Sequence, residues 1–356
     1  MKHTHNPFRY LIYFVFFITS LSSYSSQTTN IKEQTDTGLA PPAPSITTNS
    51  AAIEEQANSS IRKLYHTLNT MPNTSMADRI SQISAYFKGT KYILGSLGEG
   101  PNARYDQFPR YRVDGFDCDT YVNTVLSLAL ANSLESFQEC LKHTRYKNGK
   151  RSYINRNHFT SIDWNNYNQK RGLLKDITFS IRNEKKQPVA LYANALINKP
   201  QWYNHKTIDT IRLQKQDKNE QEKRLVELKA KGKTLETSLS NVPYIPFTAL
   251  FSENKPNLHL FSQIPNGAVI EIIRPNWDLR QQIGTELDIS HLGFAIWINN
   301  ELFFRQASSQ YGKAVDVSLI DYLDKARSSP TIKGINIQIV LPEKPVSNGC
   351  QLFDIR

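Results

Sequence analysis

The chain has 356 residues, is 39% apolar and carries a formal charge of +11, which is material for one large domain or two small ones. That basicity would suit a nucleic acid, yet no RNA- or DNA-binding signature accompanies it, so a polyanionic surface such as cell wall or membrane is the better match. The three cysteines, Cys118, Cys140 and Cys350, form no C-x-x-C, and the 8 histidines show no ligand spacing, which argues against a zinc site.

Residues 1–26 read as a signal peptide: Lys2 and Arg9 give a basic start, Tyr10 to Leu21 an apolar run, and Ser22 to Ser26 a small-residue exit. The run is short for a bilayer span, no later stretch approaches that length, and no cysteine follows it to carry a lipid. The expected product is therefore exported, periplasmic or secreted, with no stable membrane insertion. Residues 27–58, rich in Thr, Ser, Asn and Gln and containing Pro41, Pro42 and Pro44, predict a disordered tether. One domain is expected over 59–345 and a tail over 346–356.

Ser59 to Leu68 predicts a short helix opening that domain. Ser75, with Asp78 three residues on, caps a second helix that buries Ile80, Ile83 and Phe87 and stops at Gly89. The glycines between Gly95 and Gly100 have the wrong spacing for a dinucleotide fingerprint, a P-loop or a nucleophile elbow. Next comes Asp114-Gly115-Phe116-Asp117-Cys118. From Cys118, the residues Val122, Val125, Leu126 and Ala129 fall on one helical stripe, so the cysteine heads an amphipathic helix. The amides and macrodipole of a helix start favour a thiolate. A small inert cysteine is the competing reading of this stretch alone.

Asp176 to Arg182 alternates as a strand, with Ile177, Phe179 and Ile181 on one face. Residues 209–231 read as a charged helix, apolar-free from Gln214 to Arg224, supported by Glu220–Arg224 and Glu227–Lys231 and ended by Gly232; such a helix is a solvated insertion without chemistry. After Val242 to Pro246, strands are predicted at Ala268–Arg274, Ile289–Ile298, Glu301–Ala307 and Gly334–Leu341. Helices first and strands after, without regular alternation, give an α+β fold with an antiparallel sheet.

Asn299-Asn300 suits a two-residue hairpin, because Asn tolerates positive φ. That turn sets Ile298 opposite Glu301, Gly293 opposite Gln306 and His291 opposite Ser308. His291, Gly293 and Ala295 then share a face with Gln306 and Ser308, while Leu292, Phe294, Ile296 and Ile298 face a core. A histidine among small residues, with an amide on its diagonal, is a base that can be oriented and that a helix can approach. A satisfied strand histidine is the alternative. If Cys118 is the reactive thiol, Cys140 and Cys350 are the candidates for a disulfide in an oxidising compartment.

These residues carry a resemblance. Gly-Thr-Lys-Tyr (89–92), Gly-Phe-Asp-Cys (115–118), Ser-His-Leu-Gly-Phe (290–294) and Gln-Ala-Ser (306–308) resemble NlpC-type papain-fold cell-wall hydrolases. Arg-Asn-His-Phe (156–159), Asp163-Trp164, the Tyr-Ile-Pro segment (244–246) and Asp-Ile-Ser-His-Leu-Gly (288–293) are similar to one branch, the N-acetylmuramoyl-L-alanine amidase-like family, over about residues 75–342. The resemblance implies a papain-like α+β fold, its nucleophile helix packed on a central antiparallel sheet. It implies hydrolysis of the amide joining N-acetylmuramic acid to L-alanine in muropeptides, anhydro-muropeptides above all, by a monomer without cofactor, metal or nucleic acid. Cys118 would be nucleophile, His291 general base and acid, and Gln306 the orienting third residue, where relatives more often have His. Tyr92 would bound the substrate pocket. Asn157, His158 and Trp164 match a segment that either lines the pocket or is purely structural. Rival readings are a γ-D-glutamyl–diamino acid endopeptidase on the same fold, a catalytically silent wall-binding protein and a lipid acyltransferase.

Overall fold

In the computed structural model, residues 49–70, 74–253, 255–346 and 349–351 are described, all within one unit spanning 36–356. The expected signal peptide, the tether up to residue 48 and the last five residues of the tail lie outside the described residues. Taking the strands of the main sheet and the helices of eight or more residues, the chain runs α1 (Ser50–Asn69), α2 (Met76–Tyr86), β1 (Lys91–Tyr92), β2 (Gly115–Phe116), α3 (Cys118–Leu130) and α4 (Leu134–Arg145). It continues through β3 (Leu174–Asp176), β4 (Leu191–Ala193), α5 (Lys218–Gly232), β5 (Val242–Pro246), β6 (Val269–Leu279) and β7 (Thr285–Ile298). It closes with β8 (Glu301–Ser308), β9 (Lys313–Ser318), α6 (Leu319–Ala326) and β10 (Gly334–Val340).

The fold is mixed α+β, as expected, but the sheet is not purely antiparallel. Its ten strands run in the order β2-β1-β9-β8-β7-β6-β10-β5-β4, with β3 also on β10. The β1–β2 pair is parallel because the chain leaves β1 through a long loop and returns beside it in the same direction. One face of the sheet (Leu292, Phe294, Ile296, Ala307) packs on the buried stripes of α2, α3 and α4. The other face (Ile270, Ile272, Ala295, Phe304, Ile335, Ile337) packs on Leu319 and Leu323 of α6 and on Leu260 and Phe261.

Local signals set several elements. Ser75 caps α2 by accepting from the Asp78 N–H at 3.1 Å, and Ile80, Ile83 and the following Phe87 are buried as expected. Asn299 and Asn300 take φ of 49° and 65° and close the β7–β8 hairpin with Ile298 paired to Glu301.

Other expectations are corrected. Residues 50–58 belong to α1 and not to a tether: Glu54, Ala57, Ile61, Leu64, Tyr65 and Leu68 form its inward stripe. That stripe opens with a carboxylate, which accepts the Arg110 N–H at 2.7 Å, so apolar periodicity misses its start. The strand expected over 176–182 ends at Asp176, whose side chain accepts the Thr178 N–H at 2.8 Å and turns the chain into a 3-10 turn at 178–180. The charged helix begins only at Lys218, capped by Asp217, and it is not simply solvated: Leu228 is buried against Tyr105, Tyr153, Tyr203 and Ile211.

Cys140 of α4 and Cys350 are disulfide-bonded, 210 residues apart, and Val346 N–H donates to Leu130 O at 2.8 Å, so the tail is bound to the domain at least to that cysteine. Closing so long a loop restricts the unfolded chain, and opening it in a Cys140→Ser/Cys350→Ser variant is expected to cost roughly 2–5 kcal/mol. Thermal denaturation with and without reductant checks this; a melting temperature indifferent to both reductant and substitution would contradict it.

Candidate active site

Cys118 is the first residue of α3, half-buried and outside the Cys140–Cys350 disulfide. Its position is fixed by the residue before it. Asp117 accepts the Thr120 N–H at 2.8 Å and the Thr120 hydroxyl at 2.7 Å, while the Thr120 Oγ1 accepts the Asp117 N–H at 3.0 Å, a reciprocal capping box. The second Asp117 oxygen accepts the Gly95 N–H at 2.7 Å, which ties the loop after β1 to the helix start. After the cysteine comes Asp119, which accepts from Asn123 Nδ2 at 2.9 Å; Asn123 in turn accepts from the Trp164 indole at 2.9 Å. Burial, then the charge on Asp117, push the Asp119 carboxyl up to about 6, against the pull of Arg145 and Arg156. Tyr92 pairs with Phe116, two residues before Cys118, and borders the same part of the core.

His291 and Gln306 come together across the β7–β8 hairpin. The His291 Nε2 and Gln306 Oε1 are hydrogen-bonded, and both residues are buried. The β7–β8 register runs from Ile298–Glu301 to Phe294–Arg305; past that point β7 keeps pairing with β6 and β8 with β9, so the pair stands where the ladder ends. Gly293 makes the close approach possible, since a Cβ there would lie 2.7 Å from Arg305 O and 3.1 Å from Gln306 Cβ.

The helix is not where the hairpin pattern put it. Its Tyr121 ring meets Phe294 at 6.1 Å, so α3 packs on the greasy face, while the imidazole packs on Phe304 at 5.6 Å and Tyr322 of α6 at 6.4 Å. Both faces of this hairpin are apolar enough to seat a helix. The broad stripe of α3 takes the one with the larger side chains, Leu292, Phe294 and Ile296.

Of the other sequence candidates, Trp164 is 1% exposed and its indole N–H donates to Asn123. Asn157 likewise bonds backbone, its Nδ2 donating to Thr144 O at 3.0 Å. His158 bonds Tyr153 O at 2.8 Å and stacks between Tyr153 and Trp202; burial and then the Arg156 charge hold it well below its ordinary pKa. Among the described residues no three His, Cys, Asp or Glu side chains converge as metal ligands.

Sequence reasoning missed the ion cluster behind the Cys118 loop. Arg156 bridges Glu99 and Asp106, and Arg212 meets Asp106 from the other side. Burial pushes Asp106 up, but the Arg212 and Arg156 guanidiniums outweigh it and hold the carboxyl below its usual value. No local signal marks such a cluster, because Arg156 lies 50 and Arg212 106 residues from Asp106.

A sequence model of the N-acetylmuramoyl-L-alanine amidase-like (AmiA-like) family matches residues 82–332. The chain belongs to that family. A crystal structure of a Legionella pneumophila protein, assigned to a family named as a domain of unknown function, is 97% identical; it superposes with TM-score 0.83 over 86% of this chain and 100% of its own. A crystal structure of a Bacteroides uniformis N-acetylmuramoyl-L-alanine amidase is 21% identical, with TM-score 0.52 over 75% of this chain and 99% of its own, a likeness of fold. No curated protein matches. The family match spans both Cys118 and the His291–Gln306 hairpin. Among the described residues no helix is long and apolar enough to cross a membrane.

Proposed function

We propose that the chain is a cysteine-dependent N-acetylmuramoyl-L-alanine amidase acting on muropeptides, with anhydro-muropeptides as preferred substrates. The observation that carries the reading is the hydrogen bond between the His291 ring and the Gln306 amide, a base with its orienter, on the hairpin whose opposite face seats the Cys118 helix. Membership of an amidase-like family supports this choice of bond. The reading takes the arrangement to be the papain-like one of NlpC-type hydrolases, in which Cys118 meets the imidazole past the end of the β7–β8 ladder. It takes residues 1–26 as an export signal, so that the enzyme works as a monomer in the periplasm or outside the cell.

Because Gln306 Oε1 accepts from Nε2–H, the neutral ring offers its Nδ1 lone pair to the thiol. The Cys118 thiolate adds to the lactyl carbonyl, and the Cys118 amide at the helix start holds the oxyanion. On collapse the C–N bond breaks, and the imidazolium gives its proton to the departing L-alanyl amine, leaving a thioester. A water then loses a proton to His291 and adds to the thioester; collapse releases the lactyl acid and returns the proton to sulfur. Neither half needs a cofactor. Tyr92, beside Phe116 on the neighbouring strand, bounds the pocket for the reacting amide.

Mass spectrometry of muropeptides incubated with the wild type and with Cys118→Ala tests this. The wild type should free a peptide beginning with L-alanine, and the variant should leave the substrate whole. Equal cleavage by both would end the proposal. Products beginning with the diamino acid would move the activity to the γ-D-glutamyl bond.

A further inference from the structure

The segment ahead of α5 reaches back to the loop that holds the Cys118 helix. Arg212 donates from one guanidinium nitrogen to Gly95 O at 2.5 Å and from another to Leu97 O at 3.1 Å, while its Nε bonds Asp106 at 2.9 Å. Its backbone is fixed as well: Arg212 N–H donates to Tyr105 O at 2.9 Å, and Arg212 O accepts the Gln107 N–H at 2.7 Å. The guanidinium lies over the Phe108 ring, 3.8 Å from its centroid. The residue it grips is the one that meets the helix cap. Gly95, at φ of 62°, turns its carbonyl to Arg212 and its N–H to Asp117 at 2.7 Å. The next residue, Ser96, shares a hydrogen bond of 2.9 Å with Thr120, the other member of the capping box.

We propose that Arg212 is a positioning residue for Cys118, acting through Gly95 and Asp117, and that the 208–232 insertion serves as the clamp that delivers it. The proposal rests on the reading of Cys118 as the nucleophile. Five donor positions on a planar fork allow one side chain to span a carboxylate and two carbonyls at once. With Arg212 in place, the Gly95 N–H is aimed at Asp117 and offsets the charge of the residue just before the thiol. Without it the loop is free to turn its amide away, leaving Asp117 more negative beside Cys118 and the first turn of α3 looser. A nearby uncompensated anion disfavours thiolate. Lysine in the same place keeps the charge opposite Asp106 but cannot reach both carbonyls.

The test uses Arg212→Lys, which leaves the ion cluster balanced, with Arg212→Gln/Asp106→Asn as a second route to a neutral, folded variant. For each folded variant, the rate of Cys118 alkylation is followed against pH, and kcat and KM are measured on a muropeptide. For R212K the alkylation midpoint is expected to move up by about 0.5 pH unit or more, and kcat to fall about tenfold with KM within about twofold. The double variant should show larger changes in the same direction. An alkylation profile and kcat equal to wild type in a folded R212K would overturn the proposal. Failure of the nucleophile reading is distinguishable, since alkylation needs no substrate. An active Cys118→Ala with a shifted R212K profile would reject the amidase mechanism alone, and an inactive Cys118→Ala with an unshifted profile would reject the clamp alone.

Discussion

His291→Ala is expected to lower kcat/KM on a muropeptide by about 10³–10⁴-fold, the loss typical of removing a base that both activates the nucleophile and protonates the leaving group. Gln306→Ala should cost less, on the order of 10²-fold, because the ring remains but loses the acceptor that selects its tautomer. The two losses should not add. Once the imidazole is gone, Gln306 has nothing to orient, so the double variant should match His291→Ala. Gln306→His, which restores a hydrogen-bonding ring at that position, should retain activity within about tenfold of wild type. Steady-state kinetics on the four proteins decide the matter. If Gln306→Ala and His291→Ala multiply their effects, or if His291→Ala stays within tenfold of wild type, the histidine is a strand residue and not the base.

What made this pair legible was local. The Asn-Asn turn fixes a register, alternation then assigns faces, and a glycine two residues after the histidine, inside the first strand, signals close approach; none of these needs distant parts of the chain. The start of α3 was legible for the same reason, because a helical stripe begins at Cys118. The face on which α3 lands was not. Alternation divides a strand into two sides but does not say which helix covers each, and here α3 covers Phe294 while Tyr322 of α6 covers His291. The β9 strand and α6 escaped notice because Lys313 to Ala326 mixes charges into its apolar pattern, and only the neighbouring β8 edge makes the first part a strand. The charged helix misled for a related reason. Its polar middle is real, but Arg104 pairs with its Glu220 and Glu227, and Arg212 just before it reaches Asp106. Side chains that look solvated in sequence become structural once partners from residues 95–112 are beside them.

Glu271→Gln is expected to abolish a loss of stability with rising pH. Glu271 lies near the start of β6, opposite Leu292 on the face that packs on α3, and is fully buried. Burial pushes its carboxyl from 4.5 to about 8, and the charges of Asp176 and Asp288 push the same way, against one hydrogen bond from Asn165 at 2.9 Å. The folded state therefore keeps a proton that the unfolded chain has already released. Stability is greatest below pH 4.5 for this group and falls as pH rises through about 8. Over that window the upper bound on the loss is about 4–5 kcal/mol, at about 1.4 kcal/mol per pH unit. Glutamine keeps the size of the side chain and the bond from Asn165 but has no proton to lose. Urea unfolding at pH 5, 7 and 9 should thus give two stability curves that differ little at pH 5, are already well apart at pH 7 and stop separating above about 8, the variant being the more stable. The carboxyls of Asp176 and Asp288 titrate in both proteins and largely cancel in the difference. A stability difference that stays constant from pH 5 to 9 would mean that Glu271 is ionised in the fold, with a cation or a polar partner beside it.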